Sequence, residues 1–499
     1  MPKRPKESYR EYKSRVIDPV SDSFCAAKWY NATIWLGSGS TASCHHPPAH
    51  RIDPDEVRKN PKSLHNTEHK KITRKQMQEG QRPAECEYCW KIEDMERDAV
   101  SDRTFKTVIY TDEDIEAAKN LPWESDVNLK TLEIAFDRTC NFACSYCNAS
   151  FSTTWAKDIK SNGPYQNLVS DGARAFQQNG DWAQPYKKDE DNPYIQAFWK
   201  WWESDLRHSL QELRITGGEP LMSDQVWKLF DYFKEHGSGD MLFSVNSNLG
   251  AKDDLIERLI ERSHYVKNFD LYTSCEATGK QAEYIRDGIE YENYVNNIHW
   301  ILRNGNIRSS HMMMTINSLS LFSITDFMDW MLEMKGIYGK QHMNWSVNLL
   351  RFPSFMSPLA LPDHIRTERH DHLKEWFEKA QENSLMNEME KDGISRLIDY
   401  LDVVKTPHRR TSSLESQWRD FKSFYQQYDL RRGKSFAETF PPILVDWMNS
   451  LPDTNLGGEQ GLVDGDSTKG ESYGEELKQI AAKEGWIMEP ADKNPGQEK

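Results

Sequence analysis

Six short apolar runs, each ending in polar or glycine residues, alternate with amphipathic stretches through the middle of the chain. The runs span 131–136, 213–215, 242–246, 269–273, 312–316 and 345–350, and the stretches between them predict helices at 225–235, 252–263, 280–303 and 322–335. Strands that alternate with helices are typical of a parallel sheet or barrel. The pattern therefore predicts an α/β core over residues 128–355.

The pattern changes on both sides of this core. Residues 1–20 are polar and basic and predict a solvated tail, and residues 21–110 carry a short strand at 33–36 and form a separate domain. After the core, a helical extension is expected over 356–450, with helices at 363–386, 388–404 and 414–429 that pad the open side of the core. Residues 451–499 predict a mostly disordered acidic tail.

One connection inside the core is unusually long. Residues 160–195 are rich in Asn, Gly, Asp and Pro, and they exceed the dozen or so residues that a crossover between parallel strands needs. We interpret this segment as a loop inserted near the active site. The aromatic segment at 198–202 that follows it predicts a buried helix face.

Charge and composition narrow the classes of function. The chain has 63 basic and 78 acidic residues, a net charge of −15, which gives no whole-protein attraction to nucleic acid. It has no run of 18 apolar residues and no apolar segment behind its basic N-terminus, so we expect no membrane span, no signal peptide and a cytoplasmic protein. Eight cysteines in such a chain favour metal or redox chemistry over disulfides.

The first strand of the core leads directly into three closely spaced cysteines, Cys140, Cys144 and Cys147. Thiols in this CxxxCxxC array can hold one face of an iron–sulfur cube, which a fourth cysteine would normally complete. None is nearby, so one iron is left open for a small ligand. A structural zinc site fits poorly, because zinc prefers four closed ligands in CxxC-like pairs. Cys275 stands alone on the fourth strand and is predicted to be an ordinary buried thiol.

A second motif follows the second strand, where Gly217, Gly218, Glu219 and Pro220 stand in sequence. With Tyr146 as the aromatic residue of the cysteine array, the two motifs resemble those of the radical S-adenosylmethionine (radical SAM) enzymes. The resemblance implies a partial (β/α)6 TIM-like barrel. It also implies a [4Fe–4S] cluster on the three cysteines, S-adenosylmethionine at the open iron and an external one-electron reductant. In the family, cleavage of S-adenosylmethionine gives a 5′-deoxyadenosyl radical that abstracts hydrogen from the substrate.

The same resemblance implies roles for residues at the strand ends. Gly217 and Gly218 allow a close backbone approach, Glu219 orients the methionyl amino group, and Tyr146 reaches the adenine.

Further along the sheet, Asn248 and either Ser274 or Glu276 stand where the family's polar groups hold the ribose. Arg286 is a candidate partner for the methionyl carboxylate, because a guanidinium matches a carboxylate bidentately. The alternative for Arg286 is an ordinary residue on a helix surface.

Four further cysteines, Cys25, Cys44, Cys86 and Cys89, precede the core. Their layout resembles the twitch (SPASM-like) domain of some radical SAM proteins, and the resemblance implies an auxiliary [4Fe–4S] cluster. The other positions that match this pattern are Phe24, Trp29, Gly80, Pro83, Glu93, Ser101 and Arg103.

This N-terminal part departs from the pattern at two positions. Lys28 stands where a proline is frequent, and His45 follows Cys44 where a second cysteine is frequent. Whether His45 or Cys25 is the fourth ligand is therefore open, and structural zinc is an alternative to the cluster, since it also takes four closed ligands. The other nearby histidines are interpreted as surface or loop residues: His46, His50, His65 and His69.

The sequence says less about the substrate than about the cofactors. A peptide or protein is the leading hypothesis, because the chain resembles radical SAM proteins with auxiliary clusters, which often modify such substrates. A carbohydrate or nucleotide-derived small molecule is the next alternative. RNA is supported only by the basic stretches at 1–20 and 70–75, and the second is interpreted as solvated helix surface. A non-catalytic metalloprotein with zinc at both cysteine sets is the rival from another class.

Overall fold

The computed structural model describes residues 7–95, 99–186, 192–402 and 413–452. The predicted acidic tail lies outside these residues from position 453 onward. Within the described part, no helix combines the length and the apolar character that crossing a membrane requires.

In the described residues, nine strands form a single mixed sheet. Their bounds are β1 Asn31–Trp35, β2 Ser40–Ala42, β3 His50–Arg51, β4 Thr131–Ala135, β5 Glu212–Thr216, β6 Leu242–Ser247, β7 Asn268–Ser274, β8 Ser309–Ile316 and β9 Met343–Leu349. The order across the sheet is β3-β2-β1-β4-β5-β6-β7-β8-β9. The pairs β1–β2 and β2–β3 are antiparallel and all the others are parallel. The six strands predicted for the core are β4 to β9, and their positions are confirmed.

Twenty α-helices surround the sheet in the described part. Their bounds are α1 Tyr9–Tyr12, α2 Ala27–Tyr30, α3 Pro54–Lys59, α4 Glu68–Gln78, α5 Glu87–Met95, α6 Asp102–Thr107, α7 Asp112–Asn120, α8 Thr153–Asn162, α9 Pro193–Trp201, α10 Arg207–Ser209, α11 Asp224–His236, α12 Asp253–Ser263, α13 Gly279–Ile285, α14 Tyr291–Asn304, α15 Ile324–Tyr338, α16 Asp363–Ala380, α17 Glu388–Asp402, α18 Leu414–Arg432, α19 Phe436–Thr439 and α20 Pro442–Ser450. The helix predicted at 280–303 is divided into α13 and α14, because Arg286 leaves the helical conformation and Gly288 has a φ of +111°.

The parallel strands follow one another across the sheet in chain order. Such crossovers are almost always right-handed, which places their helices on one face of the sheet. β3 and β9 are the two edges of this sheet, and the partial barrel stays a prediction of the sequence. The strand predicted at 33–36 is β1, which pairs in parallel with β4 from Asn31–Thr131 to Trp35–Ala135. The sheet therefore extends across the boundary predicted between the N-terminal domain and the core.

Two apolar cores hold the described residues together. The larger lies between the sheet and its helices, and the smaller surrounds the N-terminal cysteines and contains Phe24, Trp29 and Trp90. The smaller core also contains Tyr12 and Ile17, both fully buried. The segment from Tyr9 onward, predicted as a solvated tail, is therefore folded, since its apolar positions are anchored against the N-terminal unit.

The basic stretch at 70–75 is also more buried than the sequence predicts. Lys70 and Arg74 on α4 are each 1% exposed, so the prediction of a solvated face is wrong for them. Lys70 Nζ donates to Thr41 Oγ1 at 2.7 Å, and Arg74 Nε donates to the Lys28 carbonyl at 3.0 Å. His65, predicted as a surface or loop residue, lies in the loop before α4 and is fully buried.

The inserted segment and the C-terminal extension lie against each other. Asp420 on α18 accepts from the backbone N–H groups of Val169 and Ser170 at 2.9 and 2.7 Å, and Gln427 Oε1 accepts from the Gln166 N–H at 2.8 Å. Part of the segment predicted as a loop near the active site is thus fixed by α18. The aromatic segment after it forms the buried face predicted for it, with Trp201 and Trp202 at most 1% exposed.

Candidate functional site

The carboxyl ends of the central strands lie at one edge of the sheet. Ala135 at the end of β4 pairs with Thr216 on β5, and Ser247 at the end of β6 pairs with Thr273 on β7. The loops that carry the sequence motifs all begin at this edge. In parallel α/β folds the strand ends supply the residues of the active site, so this register brings the predicted site residues together.

The cysteine loop is held by the first turn of α8. The Cys140 N–H donates to Thr153 Oγ1 at 3.1 Å, and its carbonyl accepts from Thr154 Oγ1 at 2.6 Å. The indole N–H of the fully buried Trp155 donates to the Cys144 carbonyl at 2.9 Å. These bonds fix the backbone of the loop while its three thiols remain half-buried.

The three thiols are close but not in mutual contact. Cys140 and Cys144 raise the pKa of Cys147, after the larger effect of burial. Burial raises the pKa of Cys140 to about 12 and of Cys144 to about 11, and the Arg286 charge opposes the rise at Cys144. No three cysteine thiols of the described chain lie within 4.8 Å of one another. The thiols of a tetrahedral zinc site would be about 3.8 Å apart, given a Zn–S bond of about 2.3 Å. The spacing here is wider than a single metal ion requires.

The two glycines allow the second motif to contact the cysteine loop. A Cβ on Gly218 would lie 2.3 Å from the Thr139 carbonyl oxygen, and one on Gly217 would lie 2.7 Å from that of Asp137. Gly217 also has a φ of +130°, which L-residues rarely adopt. The Glu219 N–H donates to the Thr139 carbonyl at 2.6 Å. The close approach predicted for these glycines is thus to the backbone that leads into Cys140.

Glu219 is a buried carboxylate bound by three donors. Its Oε1 accepts from the Leu221 N–H at 3.0 Å and from Ser247 Oγ at 2.8 Å, and its Oε2 accepts from the Asn248 N–H at 2.7 Å. Burial raises the pKa of Glu219 to about 7, against the lowering effect of these hydrogen bonds. The group therefore changes charge near neutral pH. Pro220 follows it in a buried 3₁₀ turn.

Asn248 connects the end of β6 to the cysteine loop. Its side-chain amide donates to Asn141 Oδ1 at 2.9 Å and lies 3.9 Å from Cys140 Sγ. Asn141 in turn donates to the Gly250 carbonyl at 2.8 Å. The structure thus places Asn248 directly beside the first of the three cysteines.

Arg286 forms a buried ion pair with Glu276. Its Nη2 lies 2.5 Å from Glu276 Oε2, and the two side chains are at most 5% exposed. The Tyr146 hydroxyl donates to Glu276 Oε1 at 3.2 Å, and the guanidinium lies 5.5 Å from the Tyr146 ring centroid. Arg286 is therefore not a helix-surface residue, and the partner it has here is Glu276.

Ser274, the last residue of β7, and Cys275, which follows it, lie in different environments. Ser274 is half-buried and opposite Met313 in the register with β8. Cys275 is fully buried, and its thiol lies 3.3 Å from the Ala277 carbonyl oxygen. The buried thiol predicted for Cys275 is confirmed.

The C-terminal extension supports the cysteine loop. This contact is not predicted from the sequence. Tyr428 on α18 is fully buried, and its hydroxyl lies 3.3 Å from the Ala143 carbonyl and 3.0 Å from the Tyr284 carbonyl. Arg432 forms ion pairs with Asp158 at 3.5 Å and Asp287 at 3.2 Å. The aromatic residues of α18 recur with helical spacing, at 421, 424, 425 and 428. This spacing predicts a buried face but does not reveal which loop the face covers.

The four N-terminal cysteines also lie together. The pKa of Cys25 is raised to about 12, mainly by burial and in addition by the neighbouring thiols of Cys86, Cys44 and Cys89. Cys25, Cys86 and Cys89 are each 8% exposed, and Cys44 is half-buried. Lys28 is 2% exposed and forms an ion pair with Glu85, the residue before Cys86.

Several residues that match the twitch pattern support these thiols. Arg103 Nε donates to Glu93 at 2.6 Å, Arg103 Nη1 donates to the Phe24 carbonyl at 2.9 Å, and Ser101 Oγ donates to Glu93 at 2.5 Å. His45 lies at the surface instead. Its side chain is 66% exposed, and its Nε2 lies 3.7 Å from Asp102 Oδ2.

Comparisons with known proteins give little further guidance. No protein-family model matches the chain, and no curated protein matches its sequence. Among solved structures, the chain is similar to Streptococcus suis SuiB bound to S-adenosylmethionine, with a TM-score of 0.32 and 12% identity over 70% of this chain and 69% of that one. It is similar to SuiB bound to the precursor peptide SuiA with a TM-score of 0.31 and 11% identity over 71% and 70%. These TM-scores are too low to support a conclusion about function.

Proposed function

We propose that this chain is a radical SAM enzyme. Cys140, Cys144 and Cys147 would hold a [4Fe–4S] cluster, and its fourth iron would bind S-adenosylmethionine. The observation that carries the proposal is the contact between the cysteine loop and the loop of Gly217 to Glu219 at the carboxyl edge of the sheet. Cys275 is not proposed as a fourth ligand, because its thiol is fully buried beside the Ala277 carbonyl.

The arrangement of the thiols fits such a cluster. In an iron–sulfur cube each cysteine binds a different iron, so the sulfurs lie farther apart than around one ion. The absence of any three thiols within 4.8 Å among the described residues agrees with that requirement. The zinc scaffold is less well supported, both by this spacing and because scaffolding has no use for the glycine loop.

When bound, the cluster and S-adenosylmethionine would supply reductive cleavage to a 5′-deoxyadenosyl radical, which abstracts hydrogen from the substrate. The chain's own residues would bind and orient. A carboxylate has about four acceptor sites, and Glu219 uses three of them for Leu221, Ser247 and Asn248. The remaining site is available to the methionyl amino group.

The other residues at the strand ends divide into two groups. Asn248 and Ser274 are proposed to contact the ribose, since they end neighbouring strands at the edge that carries the cysteines. The pair of Glu276 and Arg286 is proposed to position the adenine-side residue Tyr146, whose hydroxyl donates to Glu276. The Arg286 Nε and Nη2 groups donate to Glu276, and a contact of its remaining Nη1 with the methionyl carboxylate stays a prediction of the sequence.

For the N-terminal thiols we propose an auxiliary [4Fe–4S] cluster on Cys25, Cys44, Cys86 and Cys89. Cys25 is favoured over His45 as the fourth ligand, because Cys25 is buried among the other three thiols while His45 is exposed beside Asp102. The spacing of the thiols again favours a cluster over zinc.

A peptide or protein is the proposed substrate class, on the basis of the twitch-like N-terminal unit. The RNA alternative loses one of its two supports, because Lys70 and Arg74 are buried and cannot form a basic surface. The segment at 9–17 is likewise folded, with Tyr12 and Ile17 buried. A carbohydrate or nucleotide-derived small molecule is the remaining alternative.

The proposal is tested on anaerobically reconstituted protein. We expect about eight iron and eight sulfide per chain for two [4Fe–4S] clusters, and release of 5′-deoxyadenosine when reductant and S-adenosylmethionine are added. Cys144→Ala should lose the product and about half of the iron. The matched control, Cys275→Ala, should keep both, because its thiol is fully buried beside the Ala277 carbonyl and is not one of the proposed ligands. Colourless, zinc-loaded protein would contradict the proposal.

A further inference from the structure

Two imidazoles and one carboxylate converge beside the N-terminal thiols. His46 Nε2 lies 2.6 Å from Asp102 Oδ2, and His45 Nε2 lies 3.7 Å from the same oxygen. One ligand atom from each residue lies within 4.8 Å of those of the other two, and this is the only group of three such residues in the described part of the chain.

The three side chains come from two separate segments. His45 and His46 follow β2 and Cys44, whereas Asp102 is the first residue of α6. The His46 ring stacks on Tyr88, with ring centroids 3.8 Å apart and an interplanar angle of 13°. Tyr88 belongs to α5, so the position of His46 is fixed by a second element.

The distances are compatible with coordination to one ion. Ligand bonds of about 2.0–2.1 Å in a tetrahedral site place neighbouring N and O donors about 3.3 Å apart. The two nitrogen–oxygen separations, 3.7 and 2.6 Å, lie on either side of this value, and one ligand atom of His45 lies within 4.8 Å of one of His46. Both histidines and the carboxylate are reachable from solvent, with side-chain exposures of 66% for His45, 13% for His46 and 33% for Asp102.

We propose that His45, His46 and Asp102 form a binding site for one divalent first-row transition-metal ion. Two imidazoles and a carboxylate suit zinc, iron, cobalt and nickel, and three protein ligands leave positions open for water or another small ligand. None of the three residues belongs to the sites described for the two clusters or for S-adenosylmethionine. The proposal rests on the proposed function only in its test, which takes the thiols as occupied by iron before Co²⁺ is added.

A bound ion would join the two segments that flank the N-terminal thiols. The residue before His45 is Cys44, and the residue before Asp102 is Ser101, whose hydroxyl donates to Glu93 on α5. The ion would thus hold the loop of Cys44 against the start of α6. The site is a cross-link of this unit as well as a surface with open coordination positions.

The test uses Co²⁺ as the probe on the full-length, anaerobically reconstituted chain, in which iron occupies the thiols. The variants are His45→Ala, His46→Ala and Asp102→Asn, and the matched control is His364→Ala, an exposed histidine on α16. We expect the natural chain and the control to bind one additional Co²⁺, with ligand-field absorption and no thiolate-to-metal charge transfer. Each of the three variants should bind it at least tenfold more weakly.

Iron content measured on the same samples separates this result from misfolding. Weaker Co²⁺ binding with unchanged iron in His45→Ala, whose side chain is mostly exposed, supports the site. Equal Co²⁺ binding in all the variants overturns it. Charge-transfer bands from a thiolate also overturn it, because the ion would then be bound by cysteine. The same holds if the variants bind less Co²⁺ only when they also contain less iron.

Discussion

The hydroxyl of Tyr428 lies 3.3 Å from the carbonyl oxygen of Ala143, the residue before Cys144. The same hydroxyl lies 3.0 Å from the carbonyl of Tyr284, the residue two before Arg286. Helix α18 of the C-terminal extension therefore contacts both the loop that carries the three cysteines and α13, the helix that precedes Arg286. The extension is part of the site's support, and its buried aromatic face stabilises the geometry of the thiols.

Tyr428→Phe tests this support. The change removes the single hydroxyl hydrogen that lies between the two carbonyl oxygens, and the loss of a buried hydrogen bond costs about 1–3 kcal/mol. We expect a lower free energy of unfolding in urea and faster loss of iron from the reconstituted protein. Tyr400→Phe is the control, because that hydroxyl is half-buried and contacts one side chain, Ser357 Oγ, at 3.3 Å. Equal iron retention in both variants and the natural chain would show that α18 does not support the loop.

Gly218→Ala tests the contact between the two loops. The new Cβ would lie 2.3 Å from the Thr139 carbonyl oxygen and 2.5 Å from that of Arg138, both backbone atoms that cannot rotate away. We expect a large loss of 5′-deoxyadenosine formation and lower iron content. Gly336→Ala on α15 is the control, since its nearest neighbour would be the Leu385 side chain at 3.9 Å. Alanine should stabilise that helix by about 0.5–1 kcal/mol and leave activity unchanged. An active Gly218→Ala variant would contradict the account.

Glu219 predicts a pH dependence of S-adenosylmethionine binding. Burial raises the pKa of Glu219 to about 7, so the carboxylate needed to accept the methionyl amino group forms as the pH rises from 6 to 8. Binding should therefore strengthen over this interval, as measured by equilibrium dialysis under anaerobic conditions. Glu219→Gln should bind more weakly and show a flatter pH profile. Equal slopes in the two proteins would exclude Glu219 from this role.

The ion pair of Lys335 and Glu390 lies outside the candidate site, and breaking it should lower the free energy of unfolding. The two charged groups are fully buried and 2.6 Å apart. Lys335→Met leaves a buried carboxylate without its cation, which costs about 3–5 kcal/mol. Replacing both residues, as Lys335→Met with Glu390→Gln, should recover most of this loss. A urea-unfolding cycle measures both values, and a single variant as stable as the natural chain would contradict the prediction.

The pH dependence of the single variant follows from the sign of the shift. Burial already raises the pKa of Glu390 above its ordinary value, and the Lys335 charge opposes that rise. Without Lys335 the folded-state pKa rises further above the unfolded one. The protonated carboxyl then favours the folded state at low pH, and stability is lost as the pH rises from about 4.5 through the raised pKa. The Lys335→Met variant should therefore be more sensitive to rising pH than the double variant.

The sequence predicts the strands and the site loops because their signals are local. Buried parallel strands are short apolar runs, and the cysteines and glycines directly follow two of them. β4 and β5, the first two strands of the core, pair from Thr131–Glu212 to Ala135–Thr216. The loops that follow these two strands are therefore neighbours in space. Gly217 and Gly218 show how far such local signals reach. The sequence indicates that another group approaches their backbone closely, but it does not identify that group as the backbone of Thr139.

Features that depend on distant partners are not visible in the sequence. Lys70 and Arg74 read as a solvated face because their neighbours on α4 are polar, yet their hydrogen-bond acceptors, Thr41 and the Lys28 carbonyl, come from other segments. Arg286 reads as a free cation for the same reason, and Glu276 is ten positions away across a turn. The support from α18 joins residues 285 positions apart, which periodicity alone cannot locate.

The most direct test of the central claim is whether S-adenosylmethionine changes the electron paramagnetic resonance signal of the reduced cluster held by Cys140, Cys144 and Cys147. The measurement is best made in a Cys86→Ala and Cys89→Ala background, which removes the N-terminal thiol pair and leaves one cluster. The account predicts a clear change in the signal when S-adenosylmethionine is added, because one iron has no protein ligand. A cluster signal that stays the same at saturating S-adenosylmethionine would contradict it.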